Sequence, residues 1–176
     1  MHIPQILRRC GRGVRREASR PNVLFGGVYG AVLASSMVGA LTQYGQTTRA
    51  DRLYDATWLL ITASASALAH GYAHLIARRG GGSHPGVGGA LRVLADEWPL
   101  VVATLPTVVM LLGAGWGWWP STDIEYAAFA FNIVFLFGWG LSAARAARRS
   151  WFTALTTGCV DALLGVIVVV ANALIK

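Results

Sequence analysis

Five apolar runs dominate this chain: Asn22–Tyr44, Tyr54–Ala77, Trp98–Trp119, Ile124–Ala144 and Trp151–Ile175. Each is about 20 residues or longer, and at 1.5 Å per residue a helix of that length crosses the ~30 Å hydrocarbon core of a bilayer. Lipid offers no partner to a backbone N–H or C=O, so a single apolar run can cross only as a helix. Only Pro120, Ser121, Thr122 and Asp123 separate the third run from the fourth, a spacing that predicts a tight helical hairpin. The chain has 176 residues, 55% hydrophobic and 13% charged. Soluble domains carry about 25% charged residues. The sequence therefore predicts an all-α integral membrane bundle of five transmembrane helices over residues 22–176, preceded by a basic arm over 1–21. Spans and short loops use nearly the whole chain, leaving no room for a separate soluble catalytic domain.

The net charge is +7. The basic residues lie between apolar runs, which points to anionic lipid headgroups as their partners rather than to nucleic acid. Their distribution orients the bundle. With the N-terminus in the cytoplasm, the inner stretches hold twelve of the fifteen Lys and Arg residues: Arg8, Arg9, Arg12, Arg15, Arg16, Arg20, Arg78, Arg79, Arg92, Arg145, Arg148 and Arg149. The outer stretches hold Arg49, Arg52 and Lys176. This bias predicts a cytoplasmic N-terminus and an outer C-terminus in an inner (plasma) membrane.

The arginine pairs of the arm resemble a twin-arginine signal, but the apolar run that follows is too long for a signal core and no small-x-small cleavage site follows it. It reads as a retained anchor. The loop Gly80–Gly89 lacks the Lys-Ser/Thr ending of a phosphate-binding loop and any strand before it, and reads as a flexible linker. Ala90–Asp96 reads as a short amphipathic helix on the membrane surface. Tyr44, Tyr54, Trp116, Trp118, Trp119 and Tyr126 fall near the outer boundary, and Trp98 and Trp151 near the inner one, as an interfacial belt. The run Gly115–Trp119 could alternatively stack a ligand. Cys10 and Cys159 lie on unlike segments and form neither a disulfide framework nor a metal motif.

Small residues recur every four positions: Gly26 and Gly30, then Ser35 and Gly39, in the first run, and Ala63, Ala67 and Gly71 in the second. Gly158, Ala162 and Gly165 do so approximately in the fifth. Such faces let helices approach closely. They predict a tight bundle or a homo-oligomer.

A few polar residues stand out against the apolar background. His70 and His74 share one face of the second helix. Asp161 falls near the middle of the fifth run, roughly 15 Å deep, and His70 roughly 12 Å deep. Asn132 is near the middle of the fourth, and Asp96 and Glu97 stand at the start of the third. An intramembrane aspartate costs about 2.5–3.5 kcal/mol on insertion scales and should turn inward to a partner. His70, His74, Glu97, Asn132 and Asp161 thus form a candidate proton or cation path. His70 and His74 could also hold a metal ion, with Glu97 or Asp96 as a third ligand. The plainer reading is that each of these groups fastens one helix to another. Pro106 frees the carbonyl of Val102 and should kink the third helix. The sequence has neither an H-E-x-x-H motif nor a nucleophile elbow, so enzymatic activity is not expected, and no feature calls for a cofactor.

The stretch Leu68-Ala69-His70-Gly71-Tyr72-Ala73-His74-Leu75, with Asp96-Glu97-Trp98-Pro99 and Phe137-Gly138-Trp139-Gly140, resembles a group of small actinobacterial multi-span integral membrane proteins. The resemblance covers most of the chain after the arm. It implies that the His, Glu and Trp-Gly positions belong to a shared scaffold, and it carries no activity. Two functional expectations follow: a small channel or transporter for protons or cations, or a non-transporting membrane scaffold or accessory subunit whose buried polar residues lock helices together.

Overall fold

The computed structural model describes residues 26–41, 48–80 and 86–175. Every regular element among them is a helix. These are α1 (Gly26–Leu41), α2 (Arg49–Gly80), α3 (Val87–Ala95), α4 (Trp98–Trp116), α5 (Ile124–Ala146) and α6 (Trp151–Ile175). The basic arm, Tyr44 and the middle of the glycine-rich loop lie outside the described residues.

Four stretches are long and apolar enough to cross a membrane: Arg49–Arg78, Val87–Trp116, Ile124–Ala146 and Trp151–Leu174. The α1 helix is apolar but shorter, about 24 Å at the helical rise. The α6 helix coincides with the fifth apolar run. Elsewhere the helix ends differ from the apolar runs, for local reasons.

The α2 helix starts at Arg49, five residues before the apolar run, because Thr48 and Asp51 cap it reciprocally. The Thr48 N–H donates to the Asp51 carboxylate at 3.0 Å, and the Asp51 N–H donates to Oγ1 of Thr48 at 3.3 Å. This is the arrangement of a capping box, here with Asp as the acid. The α4 helix stops at Trp116, short of the run's end at Trp119. Gly117 adopts φ +80°, and the Trp118 N–H donates back to the Gly113 carbonyl at 2.9 Å. A left-handed glycine with this bond closes a helix and turns the chain away. Trp119 then folds back: its Nε1 donates to the Met110 carbonyl at 3.0 Å, and its ring covers Gly113. The loop expected through Gly89 is partly helical, since α3 takes in Gly88 and Gly89. The α4 helix continues through Pro106.

The helices alternate in direction. Near one end, called here the arm end, the start of α1 meets the start of α4: a Cβ on Gly26 would lie 2.9 Å from the Leu100 nitrogen. The start of α1 also meets the end of α5, where the Trp139 indole fills the space beside Gly27. At the opposite end, Gly39 of α1 lies against the Asn172 amide of α6, and Gly115 of α4 against Leu53 of α2. The α2 helix packs on α3 and α4, α5 packs on α6, and α4 touches α5. Between these groups α1 forms the centre. Its Ala34 and Val38 are buried with Ala56 and Leu59 of α2, Val108, Leu111 and Ala114 of α4, and Ile124 and Phe129 of α5.

The small residues that the sequence singles out are spent inside this chain. Gly26 and Gly30 admit α4, and Ala67 is buried beside Leu100. Gly71 admits Leu94 of α3, and Gly165 admits Ile133 and Leu136 of α5.

Candidate functional site

The polar side chains fall at three levels along the bundle. At the arm end, the Gly71 turn of α2 lets the α3–α4 corner approach, and a Cβ there would lie 2.7 Å from Leu94 Cδ2 and 3.1 Å from its Cα. This contact carries Glu97, the residue before α4, into the bundle. Glu97 is buried, and its carboxylate lies 3.6 Å from Nε2 of His74, whose own side chain is 55% exposed. One turn earlier on α2, the half-buried His70 ring meets Tyr29 of α1 edge-on, with centroids 4.9 Å apart. The two histidines share one helix but diverge, His70 toward α1 and His74 toward the start of α4. Among the described residues no group of three or more His, Cys, Asp or Glu side chains converges as a metal site. The arrangement of His70 and His74 with Glu97 or Asp96 as a third ligand is not assembled.

At the middle level, the Thr107 hydroxyl of α4 donates to Oδ1 of Asn132 of α5 at 3.1 Å, and both side chains are fully buried. The Asn132 amide nitrogen has no hydrogen-bond partner among the described residues. Asp161 of α6 rests in the notch left by Gly140 of α5, where a Cβ would collide with its carboxylate. The half-buried Asp161 makes no hydrogen bond or ion pair with any described residue, so its partner is neither His70 nor Asn132. His70 meets α1, whereas Asp161 lies between α5 and α6. Helical rise alone places the two at similar depth. It gives no information on which neighbour each faces.

The third level, at the far end, holds a cluster that sequence reasoning missed. Arg52 is completely buried. Its guanidinium Nη2 donates to Oε2 of Glu125 at 2.7 Å, its Nε to the Ser121 carbonyl at 2.9 Å, and its Nη1 to Oδ2 of Asp55 at 3.5 Å. Glu125 opens α5, and Ser121 lies in the α4–α5 turn, so one arginine ties the start of α2 to a hairpin about 70 positions later. A buried guanidinium is tolerated only when its charge and its rigid fork of donors are both met. The charge count used for orientation treats Arg52 as a loop residue. The signals available in the sequence were Asp55, one turn after Arg52, and Glu125, an acid in the first turn of the α5 run.

No known protein family, curated protein or solved structure matches the chain.

Proposed function

We propose that this chain is a five-span inner-membrane protein, with its N-terminus in the cytoplasm and its C-terminus outside, that acts as a non-transporting scaffold or accessory subunit. Alternating helix directions and the twelve-to-three bias of basic residues support the topology. One observation carries the functional reading: His74 and Glu97 meet at the arm end, but the deeper groups of the candidate route stand apart. The His70 ring meets Tyr29, Asn132 bonds across to Thr107, and Asp161 joins neither. A proton or cation route needs titratable groups or water within hydrogen-bond reach at each step. Side chains that each meet a different helix instead fix which helices pack together.

Asp161 favours a second reading, proton or cation handling, because an intramembrane carboxylate, here without a partner among the described residues, marks an ion pathway in many membrane proteins. Proteoliposomes holding the purified chain, loaded with pH and cation gradients, separate the two. The scaffold reading expects no flux above that of empty vesicles. A flux that Asp161→Asn abolishes, while the variant still inserts and folds, would overturn it.

A further inference from the structure

The turn between α5 and α6 carries Arg145, Arg148 and Arg149, and no acidic residue occurs between Glu125 and Asp161. All three are exposed, and among the described residues none forms an ion pair. The turn is built rather than loose. The Arg148 N–H donates to the Arg145 carbonyl at 2.9 Å, the Arg149 N–H donates to the Ala144 carbonyl at 3.0 Å, and Arg148 takes φ +57° to allow it. Arg145 is held in place: its guanidinium lies 4.3 Å from the centroid of the Trp151 ring, and its Nη1 donates to the Arg149 carbonyl at 2.9 Å. A guanidinium has five N–H donors, so most of its fork remains open. Beside it, Trp151 and Phe152 expose large apolar surfaces at the start of α6.

We propose that this turn docks one anionic phospholipid, with its phosphate against Arg145, Arg148 and Arg149 and its acyl chains along Trp151, Phe152 and the open flank of α6. Planar guanidinium groups match phosphate oxygens two bonds at a time. A cation fixed in advance by stacking on an aromatic ring loses less freedom when the anion arrives. The apolar neighbours select a lipid over a free anion, since Leu155, Val160 and Leu163 continue the exposed apolar flank beyond Phe152. The proposal rests on the membrane reading but not on the absence of transport.

Native mass spectrometry of the full chain, released from detergent micelles doped with phosphatidylglycerol or phosphatidylcholine, tests it. The wild type should retain phosphatidylglycerol selectively. Arg148→Ala with Arg149→Ala should lower its occupancy by roughly ten- to thirtyfold, the weight of two arginines at an anionic surface. Trp151→Ala, which removes the prop under Arg145, should lower it by less. Arg148→Lys with Arg149→Lys, which keeps both charges and loses the paired guanidinium bonds, should fall between the wild type and the double alanine variant, which separates loss of charge from a disturbed turn. Equal retention of the two lipids, an unchanged occupancy in the double alanine variant, or complete displacement by millimolar inorganic phosphate would each overturn the proposal. A flux found in proteoliposomes would leave it standing.

Discussion

Glu125→Gln is the sharpest probe of the buried ion cluster. It leaves the shape of residue 125 nearly unchanged and takes away the charge that Arg52 meets at 2.7 Å. The magnitude depends on burial. A surface ion pair is worth about 0–1 kcal/mol, whereas stranding one member of a buried pair costs roughly 3–5 kcal/mol. The Arg52 side chain is 0% exposed and that of Glu125 13%, so the buried case applies. Asp55 remains 3.5 Å from the guanidinium and the Ser121 carbonyl keeps its bond, which puts the expected loss at the lower end, about 3 kcal/mol. Arg52→Met strands the two acids instead. The double variant Arg52→Met with Glu125→Gln should then lose at least about 1 kcal/mol less than the sum of the singles, because each single change counts the same broken pair. Unfolding the protein in mixed detergent and SDS micelles, followed by far-ultraviolet circular dichroism and tryptophan fluorescence, measures all three. A Glu125→Gln protein within about 0.5 kcal/mol of wild type, the range of an ordinary surface change, would refute the claim that this pair fastens α2 to the α4–α5 hairpin.

Gly71→Leu places a branched side chain where Leu94 already stands within 3.1 Å of any Cβ. It should push α3 and the start of α4 away from α2 and lower stability by about 1–3 kcal/mol, read in the same micelle titration; an unchanged midpoint would mean that the two segments do not touch there. Asn132→Leu should cost little, about 0.6 kcal/mol. That is the average for a hydrogen bond between membrane helices, and the Thr107 hydroxyl can turn back to a carbonyl of its own helix. A loss above about 2 kcal/mol, on the scale of a stranded buried polar group, would show that Asn132 does more than meet Thr107.

Apolar run length made most of the helices legible, because a segment in lipid must satisfy its own backbone and is therefore helical wherever the run is long enough. The α6 helix is the plainest case, running from Trp151 to Ile175 with the run itself. Legibility failed where polar chemistry extends or ends a helix. The first turn of α2 reads as an outer loop because Arg49, Asp51 and Arg52 are charged, and only the Thr48 cap and the distant Glu125 explain why it is helical and why Arg52 is buried. Likewise Trp118 and Trp119 belong by hydropathy to the third run, yet Gly117 turns the chain before them.

Among the candidate site residues, sequence spacing puts His70 and His74 on one helix, and Glu97 lies beside His74. Spacing could not say that His70 faces Tyr29, or that Asp161 lies in the notch of Gly140. Depth follows from counting residues along a helix. Rotational facing follows from which glycine lets which neighbour approach, and that information is distributed across helices far apart in the chain.

The claim on which the account depends most is that the chain crosses the membrane five times with the arginine-rich end inside. Paired reporters test it directly in intact bacteria: a phosphatase, active only outside the inner membrane, and a fluorescent protein, bright only in the cytoplasm, each fused in turn after Gly82 and after Lys176. The expected outcome is a bright, phosphatase-negative fusion at Gly82 and a dark, phosphatase-positive fusion at Lys176. A bright fusion at Lys176 beside a bright fusion at Gly82 would contradict it, because the number of crossings between the two would then be even rather than three.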